Sequence, residues 1–343
     1  MNWPAVNRLL VALTLTLLLP AGATAAQPPT APSYRVVSRI AGPDGGWDLA
    51  GVDAASGRLY VARSEGVMAV DLATGKVTPN LVPSTRGHAA LPIPGSTRVI
   101  STSGGANTAT IFEGKTGQIV ANLAVGTKPD AVAYDPATRT LWVMNPGSGD
   151  ISVIDPATAH VVATVAVGGS LELGAADGEG RLYVNVEDRN DVAVIDTRAR
   201  RLVTRFPLTG CDRPTGIAYA PDVRLILSAC ANGVAKVSAP DGHEMASLAI
   251  GPRPDGALYD AQRHLAFVPS GGDGTLAVIR LSPTPEIIER VETAKGARTA
   301  ALDPATGRIY LPSAQYAPAV GAARPAALPG SFTVLVVAPD RPQ

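Results

Sequence analysis

One pattern recurs seven times along the chain and leaves few folds open to it. Each time, a short apolar strand and a tight turn are followed by a second strand that ends in a tetrapeptide such as Arg181-Leu182-Tyr183-Val184. These second strands end at Val61, Ser101, Val143, Val184, Leu227, Val268 and Leu311, at intervals of 40 to 43 residues. In the clearest unit, residues 141–169, three short strands are joined by a polar turn and by Asp155-Pro156-Ala157-Thr158. Such a unit cannot bury its own apolar faces, so neighbouring units must stack against it. No stretch long enough for a globular helix carries a 3.6-residue apolar period. The 35 Gly and 30 Pro of the 343 residues suit many short strands joined by tight turns. Together these features predict an all-β, seven-bladed β-propeller.

The ends of the chain sharpen this expectation. The seventh unit starts near Arg298, has a third strand at 332–338 and then stops without a fourth. A strand at 34–40 stands alone before the first complete unit. Pairing the two would close the ring and remove an exposed edge, giving one domain over residues 34–340. Ahead of it, residues 1–26 read as a secretory signal peptide. Arg8 precedes an apolar run at 9–19, Pro20 ends the run, and Ala23-Thr24-Ala25-Ala26 offers a cleavage site. The run is too short to span a bilayer. Residues 27–33 read as a flexible, Pro-rich leader. The expected location is periplasmic or secreted, with no membrane span after cleavage. Export permits a disulfide, and Cys211 and Cys230 flank a hairpin centred near 221–222 that would bring them within about one residue pair of register.

Lys and Arg number 29, as do Asp and Glu, so the cleaved chain, without Arg8, carries a net charge of −1. That balance gives no electrostatic footprint for nucleic acid or an anionic membrane. The expected state is a monomer, and the expected partner is a small anionic ligand or another protein.

The turns and the inner strands place the candidate site. Asp53, Asp135, Asp177, Asp260 and Asp303 occupy equivalent turns, where a carboxylate bonds backbone amides two residues on. Innermost strands line a propeller's channel, so the position five residues before each turn falls at one mouth. It holds Asp48, His88, Asp130, Glu172, Thr215, Asp255 and Arg298. Two residues earlier stand Gly46, Arg86, Lys128, Ser170, Arg213, Arg253 and Gly296. In an extended strand these would point the same way, adding basic groups to the ring. Three roles follow. Polar groups can satisfy one another around a wet channel. Arg213, Arg253 and Arg298 can hold a carboxylate or phosphate. Asp48, His88, Asp130 and Glu172 can hold a divalent cation. The loop at 313–330, much longer than its counterpart at 145–150, should hang over this mouth as a lid or docking arm carrying Tyr316 and Arg324.

Leu182-Tyr183-Val184-Asn185, followed by 192–196, and the segment 151–168 resemble the repeats of the YVTN β-propeller family, including its YncE-like periplasmic members. The resemblance spans about residues 34–340. Blades two and five depart from it, with Ser101-Thr102-Ser103 and Leu227-Ser228-Ala229 at the signature position. It implies an exported seven-bladed propeller acting as a binding or scaffold protein. Members of that family have been proposed to bind DNA or surfaces, which the charge balance here disfavours. Propeller lactonases supply a hydrolytic alternative by analogy of fold. In it Glu172 or His88 would activate water, and Arg213 and Arg253 would stabilise the oxyanion.

Overall fold

The computed structural model describes residues 1–2, 4, 33–318 and 326–340. The signal and leader expectations, and Arg324 of the long loop, therefore fall almost wholly outside the described residues. Seven four-stranded antiparallel sheets lie in the compact unit Pro32–Gln343. In six of them four consecutive strands pair in chain order, from the channel outward. The seventh combines Ala301–Asp303, Arg308–Ser313 and Thr333–Pro339 with Tyr34–Ala41 as its outermost strand. The register runs from Tyr34 opposite Pro339 to Ala41 opposite Thr333. The ring is closed by the first strand of the domain, as its sequence predicts.

Burial explains the composition of each strand. Thr140–Asn145, second in its blade, is buried throughout, and so is the equivalent Leu225–Cys230. A strand covered on both faces reads as a continuous apolar run rather than an alternation. The outer strands, such as His160–Ala166, are largely exposed. The core lies between blades. Met144 and Ile151 of blade three pack with Leu171 and Val184 of blade four. Phe267 and Val278 of blade six pack with Ile309 and Val337 of blade seven. Val61 and Met68 of blade one meet Tyr310 and Val334 across the closure. The turn aspartates act as expected: Asp135, for example, accepts from the amides of Ala137 and Thr138 and from the Thr138 hydroxyl.

Cys211 and Cys230 form a disulfide with a Cα separation of 5.4 Å. The expected register is corrected. Cys230 lies opposite Pro214, so Cys211 stands three residues outside the pair. It reaches the bond because the chain before the strand curls back, with the Cys211 amide donating to Leu208 O and Arg213 in the left-handed region. Both cysteines are buried. The bridge closes a loop of 19 residues, which in the chain-entropy picture contributes about 3 kcal/mol. A Cys211→Ala/Cys230→Ala variant should therefore remain folded but melt at lower temperature. Reductant should then lower the melting temperature of the parent protein and leave that of the variant unchanged.

Candidate functional site

A repeated backbone irregularity builds the mouth. In four blades the innermost strand carries a bulge, with two residues facing one on the next strand. The two are Asp48 and Leu49 in blade one, His88 and Ala89 in blade two, Glu172 and Leu173 in blade four, and Thr215 and Gly216 in blade five. A bulge re-aims the side chain at which it occurs. Here it falls on the predicted ring residue each time. Asp130, Asp255 and Arg298 just precede the inner strands of blades three, six and seven.

Blade-to-blade bonds fix the ring. Thr102 Oγ1 donates to Asp130 O at 2.6 Å, and Asn185 Nδ2 donates to the carbonyls of Thr215 and Gly216. Thr215 Oγ1 donates to Pro254 O at 2.9 Å, the Asp255 amide to Arg298 O, and Thr299 Oγ1 to Asp48 O. Thr215 is thus a buried tie between blades, its hydroxyl proton turned away from the channel contents.

The other ring side chains meet one another. His88 Nδ1 lies 2.8 Å from Asp48 Oδ2 and 3.8 Å from Asp130 Oδ2. Arg298 Nε donates to Asp255 Oδ2 at 2.7 Å, and its Nη2 lies 3.6 Å from Asp48 Oδ1. The Glu172 carboxyl makes no hydrogen bond to a described residue. Gly104 lets His88 lie flat against the chain: a Cβ there would stand 2.8 Å from the imidazole Cδ2 and 2.9 Å from Nε2.

The four basic residues predicted to share the inner face do not. Arg86, Lys128, Arg213 and Arg253 have φ between 51° and 56°, in the left-handed region, and all four are exposed. The two-residue periodicity of an extended strand therefore fails at the step into the ring. The mouth has an inner tier that is mainly acidic and an outer rim that carries cations. Glu187, the residue after the strand Arg181–Val186, joins the site without having been expected there. It accepts from Arg213 Nε at 2.8 Å and Nη2 at 2.6 Å. Its position in the loop joining strands two and three, which ends at this mouth, was the available signal.

The electrostatics follow from this crowding. Burial pushes the Asp130 carboxyl up to about 7, and the Asp48 charge adds to it. Burial, then the charges of Asp130 and Asp255, hold Glu172 well above the usual carboxylate range. Asp255 is raised to about 6 by burial and by Asp48, with Arg298 opposing. The hydrogen bond to Asp48 raises His88. A carboxyl whose folded value lies above its unfolded one binds protons more tightly when folded. Its contribution is complete below the unfolded value, near 4, and is lost as pH rises through the folded value. For Asp255 this means that melting temperature falls as pH rises from about 4 through about 6, and Glu172 extends the fall in the same direction. Glu172→Gln should flatten that fall, with its melting temperature rising relative to the parent's as pH increases, as thermal scans from pH 4 upward in chelator would show.

Beside Arg298 stands the stem of the long loop. Tyr316 and Ala327 bridge, the Leu328 amide donates to Gln315 O, and the Gly330 amide donates to Asp44 Oδ2. A cleft of about 470 Å³ lies between this stem and blade one, lined by Trp47, Arg298, Tyr316 and Leu328 among others. Among the described residues, Asp48, His88 and Asp130 form the one group whose ligand atoms, all within 4.8 Å of one another, could hold a metal ion.

No protein-family model matches the chain, and no curated protein matches it. Solved structures do. A chain of hydrazine synthase from Kuenenia stuttgartiensis aligns at a TM-score of 0.68 and 17% identity, over 78% of this chain and 92% of that one. A chain of a mitotic checkpoint complex aligns at 0.70 and 14% identity, over 87% and 95%. At such identities the likeness is one of architecture: this chain is a seven-bladed β-propeller.

Proposed function

We propose that the chain is an exported binding protein that receives a cationic group of its ligand in the channel mouth. One observation carries this reading: Asp48, Asp130, Glu172, Glu187 and Asp255 converge where, among the described residues, His88, Arg298 and the rim residue Arg213 are the basic groups paired with them. Carboxylates withdrawn from water without enough partners favour an incoming positive charge. The sequence-based preference for a small anionic ligand therefore shifts to the rim, where the exposed basic groups lie. Hydrolysis is disfavoured because, of the two expected oxyanion donors, Arg213 turns its guanidinium to Glu187 and Arg253 stands exposed on left-handed backbone. The disulfide agrees with export, and no helix among the described residues is long and apolar enough to cross a membrane. Kinship with the YVTN propellers rests on residues 151–168 and 182–185.

The test is thermal stabilisation by simple ions. Manganese, calcium and spermidine should be compared with acetate and sulfate at equal ionic strength. A cation that binds the folded state alone raises the melting temperature as its concentration passes Kd. Cations should stabilise the protein and anions should not, and Asp130→Asn/Glu172→Gln should remove the effect. Stabilisation by anions alone would reject this reading. Turnover in a lactone screen, lost in Glu172→Gln, would establish the hydrolytic one.

A further inference from the structure

Resting on the cation-accepting reading above, the geometry points to a specific occupant: a divalent transition-metal ion held by Asp48, His88 and Asp130. The three residues come from three successive blades, and each offers one ligand atom to the same space. His88 Nδ1 lies 2.8 Å from one carboxylate oxygen and 3.8 Å from the other. Around an ion with bonds of about 2.0–2.2 Å, tetrahedral ligand atoms stand roughly 3.3–3.6 Å apart. The two separations from His88 bracket that spacing, and the third pair, Asp48 with Asp130, lies within 4.8 Å, so a small closing movement brings the set together. Three features of the scaffold hold the ligands ready. Gly104 supports the Cδ2–Nε2 edge of His88, which leaves Nδ1 facing the two acids. The bulges in blades one and two fix the backbone at Asp48 and His88. The Thr102 hydroxyl fixes the backbone at Asp130.

On binding, the ion takes the place of the proton between Nδ1 and Asp48, and that proton leaves to solvent. One imidazole with two carboxylates suits manganese, cobalt or zinc, whereas calcium and magnesium prefer oxygen alone. Three protein ligands leave further positions open to the channel, the arrangement of sites that take an exogenous ligand. Glu172, the fourth ligand expected from the sequence, stands on the adjacent blade outside this group, its carboxyl without a hydrogen bond to a described residue.

Cobalt and zinc titrations of the chelator-treated full chain, followed by calorimetry and by cobalt's visible absorption, test the assignment. One ion should bind per chain, more tightly than calcium. Loss of an outer partner of a metal ligand costs about 10–100-fold in affinity, so His88→Ala and Asp130→Asn should each cost at least that. His264→Ala should leave affinity unchanged, because His264 is exposed and paired with Asp222 elsewhere. If His88→Ala does not fold, judged by circular dichroism, His88→Asn replaces it. Absence of saturable binding, or binding indifferent to the His88 substitution, would overturn the metal assignment. If spermidine then still stabilises the protein, the cation-accepting reading survives alone. If it does not, both fall.

Discussion

A chain lacking residues 33–41 should fail to accumulate as a soluble folded protein. The strand Tyr34–Ala41 contributes the outer ladder of blade seven and more. Tyr34 is buried edge-on against Phe267, with ring centroids 5.0 Å apart. Its amide donates to Glu289 Oε2 of blade six at 2.9 Å, and the Ser33 hydroxyl donates to Oε1 at 2.7 Å. At the same end the Asp340 amide donates to Ser33 O, and at the far end the Gly42 amide donates to Phe332 O. Without these bonds Thr333–Pro339 becomes an open edge, and five of its seven residues, Val334 to Ala338, are buried apolar ones. Such an edge pairs with other chains. The loss exceeds the range of a point substitution, above about 5 kcal/mol. Expression should yield aggregate, and a synthetic 33–41 peptide supplied during refolding should recover folded protein. A soluble truncated chain with the parent's melting temperature would show that the ring does not need its clasp.

Trp142→Ala should cost about 3–5 kcal/mol, the range for removing a large aromatic side chain from a packed interior. Trp142 is fully buried and belongs to the core shared by blades three and four. Its indole Nε1 donates to Thr140 Oγ1 at 2.9 Å, so truncation also takes away a buried bond. Because that core lies between blades, the cavity loosens an interface rather than one sheet. Denaturant unfolding should show a lowered midpoint with an unchanged slope. Trp142→Phe, which refills most of the space, should lose clearly less.

The fold could be read in the sequence because a period near 42 with apolar second strands admits few arrangements, and the orphan strand at 34–40 matched the gap in the last unit. The ring could be read because the turn aspartates keep a fixed distance to the channel. The orientation of the basic residues could not. Arg86, Lys128, Arg213 and Arg253 adopt left-handed backbone, which non-glycine side chains rarely do and residue type does not announce. The bulges beneath Asp48, His88, Glu172 and Thr215 are equally silent, and so is the curl that brings Cys211 three residues out of register to Cys230. Glu187 was within reach, since a loop joining second and third strands ends at the same mouth.

The pairing of Tyr34–Ala41 with Thr333–Pro339 also orders events in time. The first strand of the domain to leave the ribosome bonds to the last, some three hundred residues later, so it waits without its partner through nearly all of synthesis. Contacts that distant in sequence are slow to form. Six blades can assemble from local hairpins, but the seventh is finished only when both ends meet. Refolding should therefore show a late phase that the Tyr34–Phe267 contact reports and the hairpins of the middle blades do not.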